Sequence, residues 1–174
     1  EDDPPHPLNV YGLSKYAGEG LVKIADPDAF IIRTSMLFGV RQTSGKGYNF
    51  VSLMLEKAKC GEEINVVNDQ FGSPTYAWDL ASKIKELIDR NAMSGVYHLV
   101  NAGSCSWYAF AAKIFELSGM HPKKLTPIST AASGSRIARP VNTTLISSKL
   151  SSAGIAPLRP WEEALAAYLK EKRG

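Results

Sequence analysis

The sequence has few of the residues that would make a metal, disulfide or membrane protein. Its two cysteines, Cys60 and Cys105, lie far apart and neither has a second cysteine within a few positions, which excludes a disulfide framework and a zinc knuckle. A reduced, cytoplasmic setting is the expectation. His6, His98 and His121 are scattered, with no i, i+4 pair, so the residue pattern predicts no metal site. No stretch approaches the roughly 18 apolar residues of a membrane span. The opening EDDPPHPL is acidic and proline-rich, the reverse of a signal peptide, so neither a membrane partner nor export is expected. A glycine-rich dinucleotide loop is missing too: Gly18 and Gly20 are followed by Lys23, and Gly45 and Gly47 by Phe50, so no G-x-G-x-x-G occurs.

What is present is ordinary soluble composition, 44% hydrophobic and 21% charged over 174 residues, enough for one substantial core. The net charge is only +3, but it is unevenly spread. Residues 1 to 120 carry 11 basic against 14 acidic side chains, and residues 121 to 174 carry 9 against 3. A basic C-terminal third can attract phosphate. Its basic residues are dispersed and no aromatic ladder accompanies them, which argues against nucleic acid as the partner.

Periodicity predicts an alternation of helices and apolar strands. Leu13, Ala17, Leu21 and Ile24 recur at helical spacing after Pro7 and Asn9, giving a first helix over 9–25. FIIRTSMLFG then reads as a buried parallel strand. A Gly- and Ser-rich loop over 39–47 leads to a helix, NFVSLMLEKAKCG, that Gly61 closes. The strand EINVVN, the loop DQFGSPTY, a helix over 77–90 and the buried strand VYHLV follow. Ser106 caps the helix WYAFAAKIFELSG. After a strand KLTPIS, the segment TAASGSRIARPVNTT lacks periodicity and reads as loop, and two helices, SSKLSSAG and WEEALAAYLKEK, complete the chain. The fold class is α/β on a parallel sheet. Two core strands are evident where a doubly wound sheet has about six, so the expectation is a partial Rossmann-like sheet, its last strands, with a smaller C-terminal substrate-binding subdomain.

One pair in the first helix suggests chemistry. Tyr11 and Lys15 are four residues apart and share a helix face, so an ammonium can sit beneath a phenol. Such a charge stabilises phenolate and lowers a tyrosine pKa from about 10, fitting it to protonate a reduced carbonyl near neutral pH. Spacing alone is weak: 7 Tyr and 13 Lys yield roughly half a Tyr-x-x-x-Lys match in a shuffled chain of this length, and Tyr168 with Lys172 is a second copy. Tyr11 opens a helix that feeds a strand, near the carboxyl-end rim where α/β sheets bind ligands, whereas Tyr168 lies in a terminal helix.

The order PxxxYGxSKxxGE at residues 7 to 19, followed by IIRTSMLFG, resembles the extended short-chain dehydrogenase/reductases, and within them the dTDP-4-dehydrorhamnose reductases. NFV at 49–51, DQFGSPTYAWDLA at 69–81, GVYHLVNAGSCSWYAFA at 95–111, RPVNTTL at 139–145 and PW at 160–161 extend the resemblance across essentially the whole chain. It implies reduction of a dTDP-4-keto-6-deoxysugar by NADPH or NADH, with Tyr11 as proton donor and Lys15 on the nicotinamide ribose. Arg33, Thr34 and Ser35 would run past the nicotinamide end, while Met36, Asn49, Gln70, Pro74, Arg139 and Asn142 would face the sugar nucleotide. It further implies that 1–47 and 75–100 belong to the cofactor-binding side and 48–74 and 101–174 to the sugar-nucleotide side. Mg2+ is admitted by the resemblance alone.

Two departures bear on function. Met36 stands where the family usually has Trp, so an aliphatic thioether would replace a flat indole on the sugar-facing side. The glycine-rich loop and the family's catalytic Ser or Thr are not among these residues, so the 174-residue chain is expected to be inactive by itself and to self-associate, as a homo-oligomer or through the free edge of FIIRTS. The alternatives are a non-catalytic sugar-nucleotide-binding or regulatory subunit of the same fold and a related nucleotide-sugar epimerase or dehydratase.

Overall fold

A computed structural model describes residues 1–40 and 48–173; most of the loop expected over 39–47, with Gly45 and Gly47, lies outside them. In chain order the elements are α1 (Val10–Ala25), β1 (Phe30–Arg33), β2 (Leu37–Phe38), α2 (Phe50–Lys59), β3 (Glu63–Val67), β4 (Phe71–Gly72), β5 (Thr75–Tyr76), α3 (Ala77–Asp89), β6 (Gly95–His98), β7 (Asn101–Ala102), β8 (Cys105–Ser106), α4 (Trp107–Ser118), β9 (Lys124–Ile128), β10 (Asn142–Thr143), α5 (Ser148–Ser152), β11 (Leu158–Pro160) and α6 (Trp161–Arg173). A single 3-10 turn, Ala131–Ser133, interrupts the long loop before β10.

The helix ends follow local chemistry. Asn9 accepts a hydrogen bond from the Gly12 N–H and starts α1. Asn49 and Ser52 form a reciprocal capping box on α2. Ser106 accepts from the Ala109 N–H to begin α4, and Gly119, at φ 70°, ends it in a left-handed cap that a side chain would strain.

Strand pairing is almost all parallel. β1 lies beside β6, with Arg33 in register with His98, and β3 beside β9. β2 pairs with β5, β10 with β4 and β11 with β7, while β4 also pairs antiparallel with β8. The expected α/β class with parallel strands is therefore what the chain forms.

The strand FIIRTSMLFG differs from its expectation in two ways. It breaks after Arg33, where the pairing with β6 ends, and resumes as β2 just past Met36, which sits at φ 43°, outside strand geometry. Only Ile31 of β1 is buried, because β6 is its sole strand neighbour among the described residues. The segments 69–76 and 130–144, read as loops, contain β4, β5 and β10; two-residue pairings are too short to leave a periodic trace.

Two clusters form the core. The larger packs α2, α4 and α6 around Phe38, Val51, Phe110, Ile114, Leu165 and Tyr168, and the smaller gathers Leu87, Tyr97, Leu99, Leu150, Ile155 and Leu158. Each fully buried large apolar side chain contributes about 1.5–3 kcal/mol. Helix α1 stands apart from both: it has no buried residue, and Val10, Leu13, Leu21 and Ile24 are exposed. No helix among the described residues is long and apolar enough to cross a membrane.

Candidate functional site

A cavity of about 810 Å³ opens where the first turn of α1 meets the segment after β1 and the loop before β10. A volume of that size suits a nucleotide-sized ligand. Of the residues expected at the site, Tyr11, Thr34, Ser35, Met36, Gln70 and Arg139 line it together. Tyr11 is 71% exposed, so its ring is open to a ligand. Lys15 lies outside the lining, with its Nζ 5.5 Å from the Tyr11 ring centroid.

The second Tyr-x-x-x-Lys pair has almost the same local geometry, Lys172 Nζ lying 5.9 Å from the Tyr168 ring. What separates the two is burial. Tyr168 is fully enclosed, edge-on to Phe38 at 5.4 Å, and cannot meet a substrate.

The floor of the cavity is a tightly knit group of small polar side chains. The Thr143 hydroxyl donates to the Phe71 carbonyl at 3.0 Å, so the Ser35 hydroxyl is the donor in the 3.2 Å contact between Ser35 Oγ and Thr143 Oγ1. Gly72 sits against this pair. A Cβ there would meet Met36 Sδ at 2.7 Å, Thr143 Oγ1 at 2.7 Å and Ser35 Oγ at 2.9 Å, so only glycine fits without displacement. Met36 pays for its place with a left-handed backbone, the kind of strain that gathers at binding sites.

The two walls are tied across the chain. Gln70 is buried and its Nε2 donates to Thr130 Oγ1 at 2.9 Å, while the Thr130 hydroxyl and N–H donate to the Asp69 carboxylate at 2.7 to 2.9 Å. Those hydrogen bonds hold the Asp69 carboxyl below its usual range. On the other side, Asn9 Nδ2 donates to the Ala138 carbonyl at 2.8 Å, fastening the start of α1 to the loop that carries Arg139. Arg139 is exposed and pairs with no carboxylate among the described residues, so its charge is available to an anion.

Four expected site residues are occupied elsewhere. Arg33 forms a two-pronged pair with Glu19, at 2.8 and 2.7 Å, which raises its own pKa and lowers that of Glu19 through the shared hydrogen bonds. Asn49 caps α2 and donates to the Gly39 carbonyl at 2.6 Å. Pro74 is fully buried, and the Asn142 side chain accepts from the Thr144 N–H, beside rather than on the cavity wall.

Sequence reasoning missed Asn9, Phe71, Trp107, Ile137 and Thr143 as lining residues. Asn9, an N-cap two residues before Tyr11, carries the one local signal that could have placed it there. Among the described residues no group of three or more His, Cys, Asp or Glu comes together as a metal site. His98, in register beside Arg33, is buried with its Nε2 unpartnered and its Nδ1 3.1 Å from the Ile146 carbonyl oxygen; burial pushes its pKa down.

The model of the family described as the RmlD substrate binding domain matches residues 1–173. The chain is 42% identical over 172 residues to the spore coat polysaccharide biosynthesis protein SpsK of Bacillus subtilis, covering 99% of this chain and 58% of SpsK. It is 38% identical to a dTDP-4-dehydrorhamnose reductase of Mycolicibacterium smegmatis, covering 94% of this chain and 49% of that one. Among solved structures, dTDP-4-dehydrorhamnose reductase from Bacillus anthracis, in complex with NADP, matches with a TM-score of 0.90 at 43% identity over 98% of this chain and 58% of that one. The chain thus spans about half the length of the curated relatives it matches.

Proposed function

Because the chain belongs to the family of RmlD substrate binding domains, we propose that it supplies the sugar-nucleotide side and the proton-donating helix of an NAD(P)H-dependent reductase of a dTDP-4-keto-6-deoxysugar, the dTDP-4-dehydrorhamnose to dTDP-L-rhamnose reaction. The observation that carries this reading is the cavity in which an exposed tyrosine at a helix start, an uncommitted arginine and an apolar wall converge. Segments 1–47 and 75–100 are assigned to the cofactor side and 48–74 and 101–174 to the sugar-nucleotide side.

In the reaction, Tyr11 donates its phenolic proton to the C4 oxygen as the carbonyl is reduced. Lys15, stacked against the Tyr11 ring, keeps positive charge near the phenolate left behind and has donors free for a ribose hydroxyl. NAD(P)H supplies the hydride when bound. The residues present fit only its nicotinamide end, since a G-x-G-x-x-G cradle for the pyrophosphate does not occur among the 174. Arg139 meets the substrate diphosphate with a forked, permanent charge. Met36 forms the apolar wall beside the deoxysugar, and its flexible thioether adapts to the ring where a flat indole would not.

Two measurements test this. Calorimetric titration of dTDP or a dTDP-sugar into the 174-residue chain should give saturable binding that Arg139→Ala weakens; no heat at millimolar ligand would remove the assignment of the cavity. In the whole protein, Tyr11→Phe should abolish turnover while leaving dTDP-sugar affinity within about threefold. The chain alone is expected to show no reductase turnover. It should self-associate through the free edge of β1, which light scattering at rising concentration would register.

A further inference from the structure

Tyr11, Lys15 and Glu19 recur every four residues along α1 and therefore share one stripe of the helix. Glu19 is where that stripe is fastened. Its two carboxylate oxygens accept from Arg33 Nε at 2.8 Å and Nη2 at 2.7 Å, and both side chains are less than one-fifth exposed. A fork of this kind fixes angle as well as distance. Arg33 is the last residue of β1, and the next three, Thr34, Ser35 and Met36, line the cavity. The fork thus links the tyrosine-bearing helix to the strand whose continuation forms the cavity floor.

Little else among the described residues sets the rotation of α1. The helix buries no side chain, and Leu13, Leu21 and Ile24 are each more than half exposed. Asn9 holds its first turn to Ala138, about 15 Å along the axis from Glu19 at 1.5 Å per residue. One attachment lets a helix swivel, and two at opposite ends of the Tyr11–Lys15 stripe do not.

We propose that Glu19 and Arg33 are positioning residues for the reduction: their fork sets the rotation of α1 about its axis and thereby where the Tyr11 hydroxyl meets the carbonyl oxygen. The inference rests on Tyr11 being the proton donor. With side-chain tips about 5–6 Å from the helix axis, a swivel of about 10–20° moves the phenol by about 1–2 Å. A misplacement of about 1 Å can cost on the order of 100-fold in rate.

The test compares Glu19→Gln, Arg33→Gln and the exchanged pair Glu19→Arg with Arg33→Glu in the whole protein. Each single change should lower kcat by about 10- to 100-fold with KM for the dTDP-sugar within about threefold, and the exchanged pair should regain most of the loss. In the 174-residue chain, Glu19→Gln should speed amide hydrogen exchange over residues 16–25 while the exchange of α4 stays as it was. A Glu19→Gln protein that loses thermal stability but keeps kcat, or unchanged protection of α1, overturns the proposal. Tyr11→Phe run in parallel separates the two readings: if it retains turnover, the donor assignment itself is wrong, whereas its inactivity together with an unaffected Glu19→Gln refutes only the positioning role.

Discussion

Replacing Gly72 with alanine tests the construction of the cavity floor. The new methyl carbon would arrive 2.7 Å from Met36 Sδ and Thr143 Oγ1 and 2.9 Å from Ser35 Oγ, where ordinary contact begins at 3.4 Å. The neighbours must each retreat by about 0.5–0.7 Å. Met36 can swing its thioether aside, but the two hydroxyls cannot: Thr143 is tied to the Phe71 carbonyl and Ser35 to Thr143. Parting Ser35 from Thr143 costs about 1 kcal/mol for the lost hydrogen bond, and the crowding itself about 1–2 kcal/mol, for a total of about 2–3 kcal/mol. For a chain of this size that is a fall in Tm of about 4–12 °C. Urea denaturation of Gly72→Ala should show the same loss as a lower midpoint at unchanged slope. Adding Thr143→Ser, which removes a methyl but keeps the hydroxyl in place, should not rescue it, whereas Thr143→Ala should recover part of the loss by vacating the oxygen. If Gly72→Ala melts with the parent chain and binds a dTDP-sugar equally well, the packing described here is wrong.

Other outcomes follow from single features. Asn49→Ala removes both the α2 cap and the bond to the Gly39 carbonyl, and should cost about 0.5–2 kcal/mol in thermal or urea unfolding without touching the cavity. A thiol reagent at neutral pH should label one cysteine in the native chain and two in urea, because Cys60 is exposed while the Cys105 thiol is buried and pushed up to about 12. His98 is held neutral by burial, so the unfolded chain takes up a proton near its ordinary pKa of about 6.5 before the folded chain does. Stability should therefore decline as pH falls from about 7 to 5.5, and the slope should flatten in His98→Gln; equal slopes would refute the assignment.

Much of the fold could be read from the sequence because its signals are local. Asn9, Ser106 and Gly119 mark helix ends through side chains or backbone that act within four residues. The apolar runs of β1 and β6 marked the parallel core strands for the same reason. The site was partly legible: Tyr11, Gln70, Met36 and Arg139, drawn from four separated motifs, do share one cavity. Arg33 shows where that reading stops. The family resemblance placed it at the nicotinamide end, yet its partner is Glu19, on another element, and a tertiary ion pair leaves no periodic mark. Asn49 and Pro74 sit in recognisable motifs but serve a helix cap and the interior, since a motif residue can be retained for packing as readily as for chemistry. The two-residue strands β4, β5 and β10 were invisible for want of length.

The parallel pairings also govern how the chain can assemble. β1 waits for β6, β3 for β9, β4 for β10 and β7 for β11, each partner arriving many residues later. Between Arg33 and Leu158 there is no peptide bond whose cleavage leaves every one of these pairs on a single piece. Proteolytic nicking in that span should release no stable half. β7 must wait for Leu158 before the last pair can close, so loop closure rather than helix growth sets the pace of folding.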